Sequence, residues 1–125
     1  MALIFGLLVV YQLKHFLCDF PLQGAYMLGK FKGGTEWIRP LAAHASVHAL
    51  GTLLIAPCVK PHLALSLAAL DFTVHFVVDR LKAAPTLGGR WKPDRPYFWW
   101  ALGGDQACHH LTHYFIIFRL VALPV

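Results

Sequence analysis

Long apolar stretches alternate with short polar connections along this chain. The apolar stretches cover about residues 2–20, 40–59, 63–82 and 97–121. Each has roughly the 20 residues that a helix needs to cross a hydrocarbon core of ~30 Å. The connections between them are rich in glycine, proline and charged residues, which are signals of turns and loops. The pattern predicts an all-α fold, a bundle of four transmembrane helices that run up and down.

Composition points to the same class of protein. Hydrophobic residues make up 58% of the 125 positions and charged residues 14%. A soluble four-helix metal protein would need charged outer faces, and the first apolar stretch has none. His15 and Asp19 near the end of that stretch indicate a helix of the folded protein rather than a cleaved leader. We expect a single membrane domain over residues 1–125.

The basic residues are concentrated in two of the connections. Of the 11 lysines and arginines, eight lie in or beside residues 24–39 and 83–96. By the positive-inside rule, these two loops are on the cytoplasmic side of the inner membrane and both termini are outside. The net charge of +5 therefore predicts topology and contact with membrane lipid. A nucleic acid is not an expected partner of so apolar a chain.

Each apolar stretch also carries metal-ligand side chains four residues apart. The pairs are His15 and Asp19, His44 and His48, His75 and Asp79, and Asp105 and His109. This spacing places both members of a pair on one face of a helix. With alternating helix directions and a rise of ~1.5 Å per residue, all four pairs lie within roughly 5–20 Å of the cytoplasmic face. The sequence predicts one cluster near one leaflet.

Four further polar residues are expected to support the ligands rather than to bind metal themselves. They are Gln23, Asp71, Gln106 and His113. Asp71 and His113 keep the four-residue spacing but lie deeper, about 16 and 24 Å from the cytoplasmic ends of their helices at ~1.5 Å per residue. They are predicted to be hydrogen-bonding partners or a deeper relay. His62, in a turn, and His110, on another helix face, are poor candidates.

The number of imidazoles and carboxylates exceeds the needs of one zinc ion. Structural zinc takes four ligands and catalytic zinc three plus water, whereas eight candidates are available. We expect one or two divalent ions, with Zn²⁺ favoured by mixed His and Asp ligation and Mn²⁺ or Fe²⁺ as alternatives. Asp19, Asp79 and Asp105, with Lys82 one turn beyond, are the candidate catalytic residues. The single glutamate, Glu36, lies in a loop, which argues against di-iron oxygen chemistry.

Several motifs in order resemble one known family. They are His15-Phe-Leu-Cys-Asp19-Phe with Gln23, His44 with His48, His75-Phe-Val-Val-Asp79-Arg-Leu-Lys82, and Asp105-Gln106 with His109. Together they resemble domain-of-unknown-function family 3307, small membrane proteins of bacteria and phage. The resemblance implies a four-helix membrane protein with a His/Asp set on all helices, and it implies no established activity. A looser resemblance to membrane-bound metal-dependent hydrolases favours hydrolysis.

Three functions fit these observations. The first is a metal-dependent hydrolase acting on a lipid-like or phosphate-bearing substrate near the cytoplasmic leaflet, since paired metal ions activate water. Basic residues that could hold an anionic headgroup are Arg80, Lys82, Arg90, Lys92 and Arg95. The second is a metal-ion or proton-coupled carrier, which with four helices would need a homo-oligomer. The third is a non-catalytic, metal-stabilised membrane scaffold.

Overall fold

The computed structural model of the protein describes residues 1–122. Within them lie four α-helices: α1 (Ala2–Asp19), α2 (Ile38–Ile55), α3 (Ala64–Ala83) and α4 (Pro96–Val121). Short 3₁₀ segments occur at Ala25–Phe31, Ala56–Cys58, Pro61–Leu63 and Gly88–Arg90. No strand occurs in this part of the chain, so the predicted all-α class is confirmed.

Prolines set several of the helix boundaries. α4 begins at Pro96, a first helical position where the missing N–H would have no partner in any case. α2 begins at Ile38, two residues before the predicted start, so that Pro40 lies in its first turn. The α-helical part of α2 ends at Ile55 rather than near residue 59. Pro57 cannot donate to a preceding carbonyl, and the chain continues as a 3₁₀ segment.

Each helix packs on two of the others through one buried stripe. α1 and α3 each contact both α2 and α4, and the contact between α2 and α3 is the most extensive. The buried positions recur every three or four residues, as from Leu7 through Tyr11 to His15 in α1 and from Asp105 through His109 in α4. This periodicity leaves the opposite face of each helix uncovered by protein.

The buried stripes change character from one end of the helices to the other. An apolar core consists of Leu7, Tyr11, Ala56, Ala64, Leu67, Ile116, Ile117 and Leu120. These residues belong to the start of α1, the region just after α2, the start of α3 and the end of α4. Consecutive helices are therefore antiparallel. The histidines and aspartates lie at the end of the helices opposite to the apolar core.

The outward faces of the helices are apolar. Three helical stretches of the described residues are long and apolar enough to cross a membrane: Ala2–Asp19, Ile38–Cys58 and Pro61–Arg90. Large side chains are exposed on these stretches, including Phe5 at 70% and Leu65 at 75% of their full surface. Such continuous exposed apolar surface is costly in water and stable in lipid. The chain therefore has the surface of a membrane-associated protein.

The connection between α1 and α2 is folded onto the helices rather than extended away from them. Its 3₁₀ segment, Ala25–Phe31, packs against both α2 and α3. Gly29 makes this approach possible, because a Cβ atom there would lie 2.7 Å from Cγ of Pro40. The segment thereby covers the polar end of the helices and brings one of its own side chains, Lys30, into the protein interior.

Candidate metal centre

All eight residues predicted as ligands meet in one network at the polar end of the helices. Their side chains are His15, Asp19, His44, His48, His75, Asp79, Asp105 and His109. Asp19 is partly exposed, with 14% of its side-chain surface accessible, and the other seven residues are buried. All four α-helices contribute, as the four-residue spacing in each stretch requires. We call this set of eight the metal centre.

One group of potential ligands surrounds Asp19. His48 Nε2 lies 2.9 Å from Asp19 Oδ1, and His15 Nε2 lies 3.2 Å from Asp19 Oδ2. One ligand atom from each of the three residues falls within 4.8 Å of the others, which is close enough to hold a metal ion. The group joins a pair on α1 to one residue of α2.

A second group lies between α3 and α4. His109 Nε2 is 2.8 Å from Asp79 Oδ1 and 3.2 Å from Asp105 Oδ1. The ligand atoms of these three residues also fall within 4.8 Å of one another. Two carboxylates and one imidazole form a harder donor set than the one carboxylate and two imidazoles around Asp19.

His44 and Gln106 connect the two groups. His44 Nε2 lies 3.4 Å from Asp19 Oδ1 and 3.0 Å from Asp79 Oδ2. The amide of Gln106 donates to Asp19 Oδ2 at 3.3 Å and to Asp105 Oδ2 at 3.1 Å. Gln106 Oε1 is also 2.9 Å from His15 Nε2. The groups are therefore neighbours, and Gln106, predicted as a supporting residue, contacts both of them.

His75 is held between the other histidines. Its ring stacks on His48 and on His109, with centroid distances of 3.7 and 3.9 Å. Its Nδ1 lies 3.0 Å from the main-chain oxygen of Asp71 and 3.1 Å from Asp71 Oδ1. Donation from Nδ1 leaves Nε2 with its lone pair free, an arrangement common for metal-binding histidines with a carboxylate behind them.

Many buried nitrogens of the metal centre lack a hydrogen-bonding partner in residues 1–122. They are Nδ1 of His15, His44, His48 and His109, and Nε2 of His44 and His75. His44 Nε2 is close to Asp19 and Asp79 but does not have hydrogen-bonding geometry with either. Buried polar atoms without partners are costly and uncommon in folded proteins. The Nε2 atoms of His15, His48 and His109 face the carboxylates of Asp19 and Asp79, and this mixed nitrogen and oxygen donor set fits a divalent cation.

The three carboxylates of the metal centre also face a cavity of about 350 Å³. The cavity is lined by Asp19, Phe20, Gln23, Leu28, Lys30, Phe31, Asp79, Lys82, Leu102, Asp105 and Gln106. One side of the lining is charged or amide-bearing and the other is apolar. Lys82, predicted as a site residue, lies here with its Nζ 3.1 Å from Asp105 Oδ2.

Lys30 is a site residue that sequence reasoning missed. Its Nζ donates to Asp79 Oδ2 and to Gln23 Oε1, both at 2.8 Å. Gln23, predicted as a supporting residue, donates to the main-chain oxygen of Asp19 at 3.0 Å. Lys30 lies in a basic connection, where charge was interpreted only as a topology signal, and no spacing relates it to the helical pairs.

The other basic residues considered for a headgroup do not line the cavity. Arg80 donates to the main-chain oxygens of Lys30 and Lys32 at 3.1 Å each, and so anchors the 3₁₀ segment to α3. Arg90, Lys92 and Arg95 are exposed in the connection before α4. Among the basic residues described, Lys30 and Lys82 alone reach the cavity wall.

A second group of polar residues, the deep cluster, lies further along the helices. It consists of Lys14, Thr52, Asp71 and His113. Lys14 forms an ion pair with Asp71, and the Thr52 hydroxyl donates to the same Asp71 oxygen at 2.6 Å. Lys14 Nζ is also 3.3 Å from His113 Nε2. Asp71 and His113 were predicted as supporting residues or a relay. Asp71 contacts His75 of the metal centre, and the ligand atoms of His113, His15 and His75 fall within 4.8 Å of one another, which makes a third group that could hold a metal ion.

Lys14 is the other residue that the sequence analysis overlooked, because a single lysine does not give α1 a charged face. Its side chain passes over Gly51, where a Cβ atom would come within 2.9 Å of Lys14 Cε. A buried ionisable residue in an apolar helix is itself a signal of function, and it could have been noticed. His62, by contrast, is exposed, and His110 is half-buried outside the three groups of potential ligands.

Comparison with known families agrees with this set of motifs. The sequence pattern of one family, described as a protein of unknown function (DUF3307), matches residues 7–124. The chain belongs to the DUF3307 family. No curated protein and no solved structure matches it significantly. The comparisons give no support to the looser resemblance to hydrolases. Membership of the DUF3307 family therefore assigns no activity to the chain.

Proposed function

We propose that this DUF3307 protein is an integral membrane metal-binding protein and a metal-dependent hydrolase of a lipid-like or phosphate-bearing substrate. One observation carries the proposal. Three carboxylates, Asp19, Asp79 and Asp105, each lie against imidazole nitrogens on one side and line a single cavity on the other. A site with both features can hold cations and admit a ligand to them.

The proposal includes α4 as a fourth membrane-crossing helix. α4 is not among the three stretches long and apolar enough to cross a membrane, but its Asp105, His109 and His113 side chains are buried against the other helices. The opposite face of α4 exposes Leu111 and Phe118, which are 64% and 62% accessible. Hydrocarbon would therefore contact an apolar surface on all four helices, which favours the up-down four-helix bundle.

The residues of the metal centre have distinct proposed roles. The Asp19 group and the Asp79 group would each hold one divalent ion, with Zn²⁺ as the first candidate because imidazole and carboxylate are mixed. An ion bound there supplies Lewis-acid activation of water and of the bond to be cleaved. Lys82 lies at the cavity wall beside Asp105, where an ammonium group can stabilise negative charge on a substrate.

A carrier of metal ions or protons is the second candidate. It is favoured by the continuity from the metal centre into the deep cluster, through the contact of His75 with Asp71 and of Asp71 with Lys14. Polar residues at membrane depth often mark ion or proton paths. We put hydrolysis first because Lys30 and Lys82 lie beside the carboxylates at the cavity wall, where ammonium groups can bind an anionic substrate.

Metal content is the decisive measurement. We expect detergent-purified protein, prepared without a metal-binding tag, to contain one or two equivalents of zinc, manganese or iron by elemental mass spectrometry. His48→Ala and Asp79→Ala should each remove most of the bound metal, because each loses a central ligand of one group. His62→Ala is the matched control, since His62 is exposed and distant from both groups.

Either of two results would contradict the metal centre. Full metal content in both ligand variants would show that ions bind elsewhere. Absence of metal from the wild type, even after zinc, manganese or iron is added back, would leave a hydrogen-bonded polar network, and the carrier would become the first proposal. With metal present, hydrolysis of phosphate- and acyl-bearing amphiphiles is the activity to screen.

The proposed orientation can be tested by cysteine labelling. In a cysteine-free background, Glu36→Cys and Thr86→Cys occupy exposed positions of the two basic connections, and His62→Cys occupies the third. A membrane-impermeant maleimide added to intact cells should label only His62→Cys, because the basic connections are proposed to be cytoplasmic. Labelling of Glu36→Cys and Thr86→Cys from outside would reverse the orientation.

A further inference from the structure

Lys30 and Lys82 come from different elements and meet at the wall of one cavity, each beside a candidate metal ligand. We propose that these two lysines bind the phosphate group of an amphiphilic ligand whose chain lies along the apolar wall of the same cavity. The inference rests on the proposed function and deepens it, because it names the class of substrate and the residues that select it.

The position of Lys30 needs an explanation that metal binding does not supply. Lys30 is only 5% exposed, and its Nζ lies 2.8 Å from Asp79 Oδ2. An ammonium group this close to a metal ligand opposes the binding of a cation. Burial of a lysine also costs side-chain entropy and hydration. The arrangement is favourable when an anion enters the site and contacts both the ion and the ammonium group.

Both ammonium groups keep N–H donors for such an anion. A lysine ammonium has about three N–H donors. Lys30 Nζ donates to two acceptors, Asp79 and Gln23, and Lys82 Nζ donates to one, Asp105. Each lysine can therefore donate to a ligand without giving up its present partner. Phosphate oxygens are strong acceptors for charged donors of this kind.

The charge of the cavity makes anion binding dependent on metal. Three carboxylates and two ammonium groups give the lining a formal charge of −1. One divalent ion changes this to +1 and a second to +3, so that a lining that repels anions becomes one that attracts them. A phosphate ligand is thus expected to bind the metal-loaded protein and not the stripped one.

The apolar half of the lining specifies the rest of the ligand. Phe20, Leu28, Phe31 and Leu102 form this wall, and burial of each methylene against such a surface contributes about 0.8 kcal/mol. A volume of about 350 Å³ is at the lower end of the range for small-molecule sites. It suits a headgroup and the first part of a chain, with the remainder of the chain in the surrounding lipid.

Calorimetric titration of zinc-loaded protein in a neutral maltoside detergent tests this proposal. The ligands are decyl phosphate, which has both a phosphate group and an apolar chain, and inorganic phosphate, which has no chain. Decyl phosphate should bind more tightly than inorganic phosphate, and chelation of the zinc should abolish the binding of both. Lys30→Gln and Lys82→Gln should each weaken decyl phosphate binding about tenfold or more, because each removes a charged donor.

The matched control is Lys92→Gln, since Lys92 is exposed and does not line the cavity. Zinc content is measured in every variant. Unchanged decyl phosphate affinity in both lysine variants, with zinc retained, would overturn the lysine pair and leave the metal centre intact. Equal affinity for inorganic phosphate would overturn the amphiphile and indicate a free phosphate ligand. A wild type that cannot be loaded with zinc, manganese or iron would overturn the proposed function and this inference together.

Lys82→Gln guards against a variant that fails to fold. The Lys82 side chain is 24% exposed, so its replacement leaves less unpaired polar surface than replacement of buried Lys30. A Lys82→Gln protein with wild-type zinc content and wild-type unfolding temperature, but unchanged decyl phosphate affinity, would by itself contradict the proposal for that lysine.

Discussion

The metal centre and the deep cluster use the same kinds of side chain, but their polar atoms are satisfied to different degrees. In the deep cluster, Lys14 and Asp71 neutralise each other and Thr52 donates to the same carboxylate, while Asp71 Oδ1 and His113 Nδ1 lack a hydrogen-bonding partner in the described residues. In the metal centre, three carboxylates face a cavity and six histidine ring nitrogens lack partners in the described residues. Both regions contain ion pairs, but the carboxylates of the metal centre also line a cavity that could admit a cation.

The two regions nevertheless touch. His75 links them, because its Nδ1 contacts Asp71 while its ring stacks on His48 and His109. We interpret the deep cluster as the support that fixes the orientation of His75, and the metal centre as the part that binds. Substitutions in the deep cluster should therefore change stability, and substitutions in the metal centre should change metal binding.

The largest change in stability is expected from loss of one charge in the deep cluster. Lys14→Met leaves the Asp71 carboxylate buried without its counter-ion, which typically costs about 3–5 kcal/mol of folding free energy. We expect a markedly lower unfolding temperature in detergent, with zinc content per folded molecule preserved. Lys92→Met, at an exposed position, should change neither quantity.

The double variant Lys14→Met with Asp71→Asn sharpens this test. It removes both charges, so it should be more stable than Lys14→Met alone. If Lys14→Met instead keeps its stability and loses its metal, the deep cluster takes part in metal binding, and the division of roles between the two regions is wrong.

A smaller loss of stability is expected from Thr52→Val. The substitution removes the hydroxyl that donates to Asp71 at 2.6 Å and keeps a similar shape, and a hydrogen bond to a charged group contributes about 1.5–3 kcal/mol. Equilibrium unfolding in detergent measures the change. Thr73→Val is the matched control, because the exposed Thr73 hydroxyl donates only to the Ala69 main-chain oxygen of its own helix. Equal effects of the two substitutions would remove Thr52 from the cluster.

The smallest expected change is in metal affinity on replacement of Gln106. Gln106→Ala leaves every candidate ligand in place but removes the amide that contacts His15, Asp19 and Asp105. Loss of such a supporting group typically lowers metal affinity about 10–100-fold. Competition with a chelator of known affinity measures it, with Gln12→Ala, exposed on α1, as the control. An unchanged zinc affinity would show that Gln106 does not orient the ligands.

The helices and the ligand pairs were accessible from sequence because both depend on local spacing. A four-residue interval fixes His44 and His48 on one face whatever the tertiary structure, and apolar stretches of this length predict helices. The second apolar stretch was predicted to end near residue 59, and the helical stretch continues to Cys58, with its last turn 3₁₀ because Pro57 lacks an N–H donor. Such boundary effects are set by hydrogen bonding rather than by hydropathy.

Lys30 could not be predicted in this way, since its place depends on contacts between distant parts of the chain. The close approach of Gly29 to Pro40 and the anchoring by Arg80 bring it to Asp79, 49 positions further along the chain. Lys14 shows a different lesson. It is visible in the sequence, but its partner Asp71 becomes evident only when Gly51 is seen to leave space for the lysine chain.

The apolar core at the far end of the helices determines whether a ligand or an ion can pass from one end of the protein to the other. Leu7, Ile116 and Leu120 are almost fully buried there. Closely packed apolar side chains leave no room for water or for a hydrated ion. In this conformation the apolar core lies between the cavity and the far end of the helices, so a bound molecule is expected to leave on the side from which it entered. Passage of a ligand to the other side of the membrane would require these core side chains to separate.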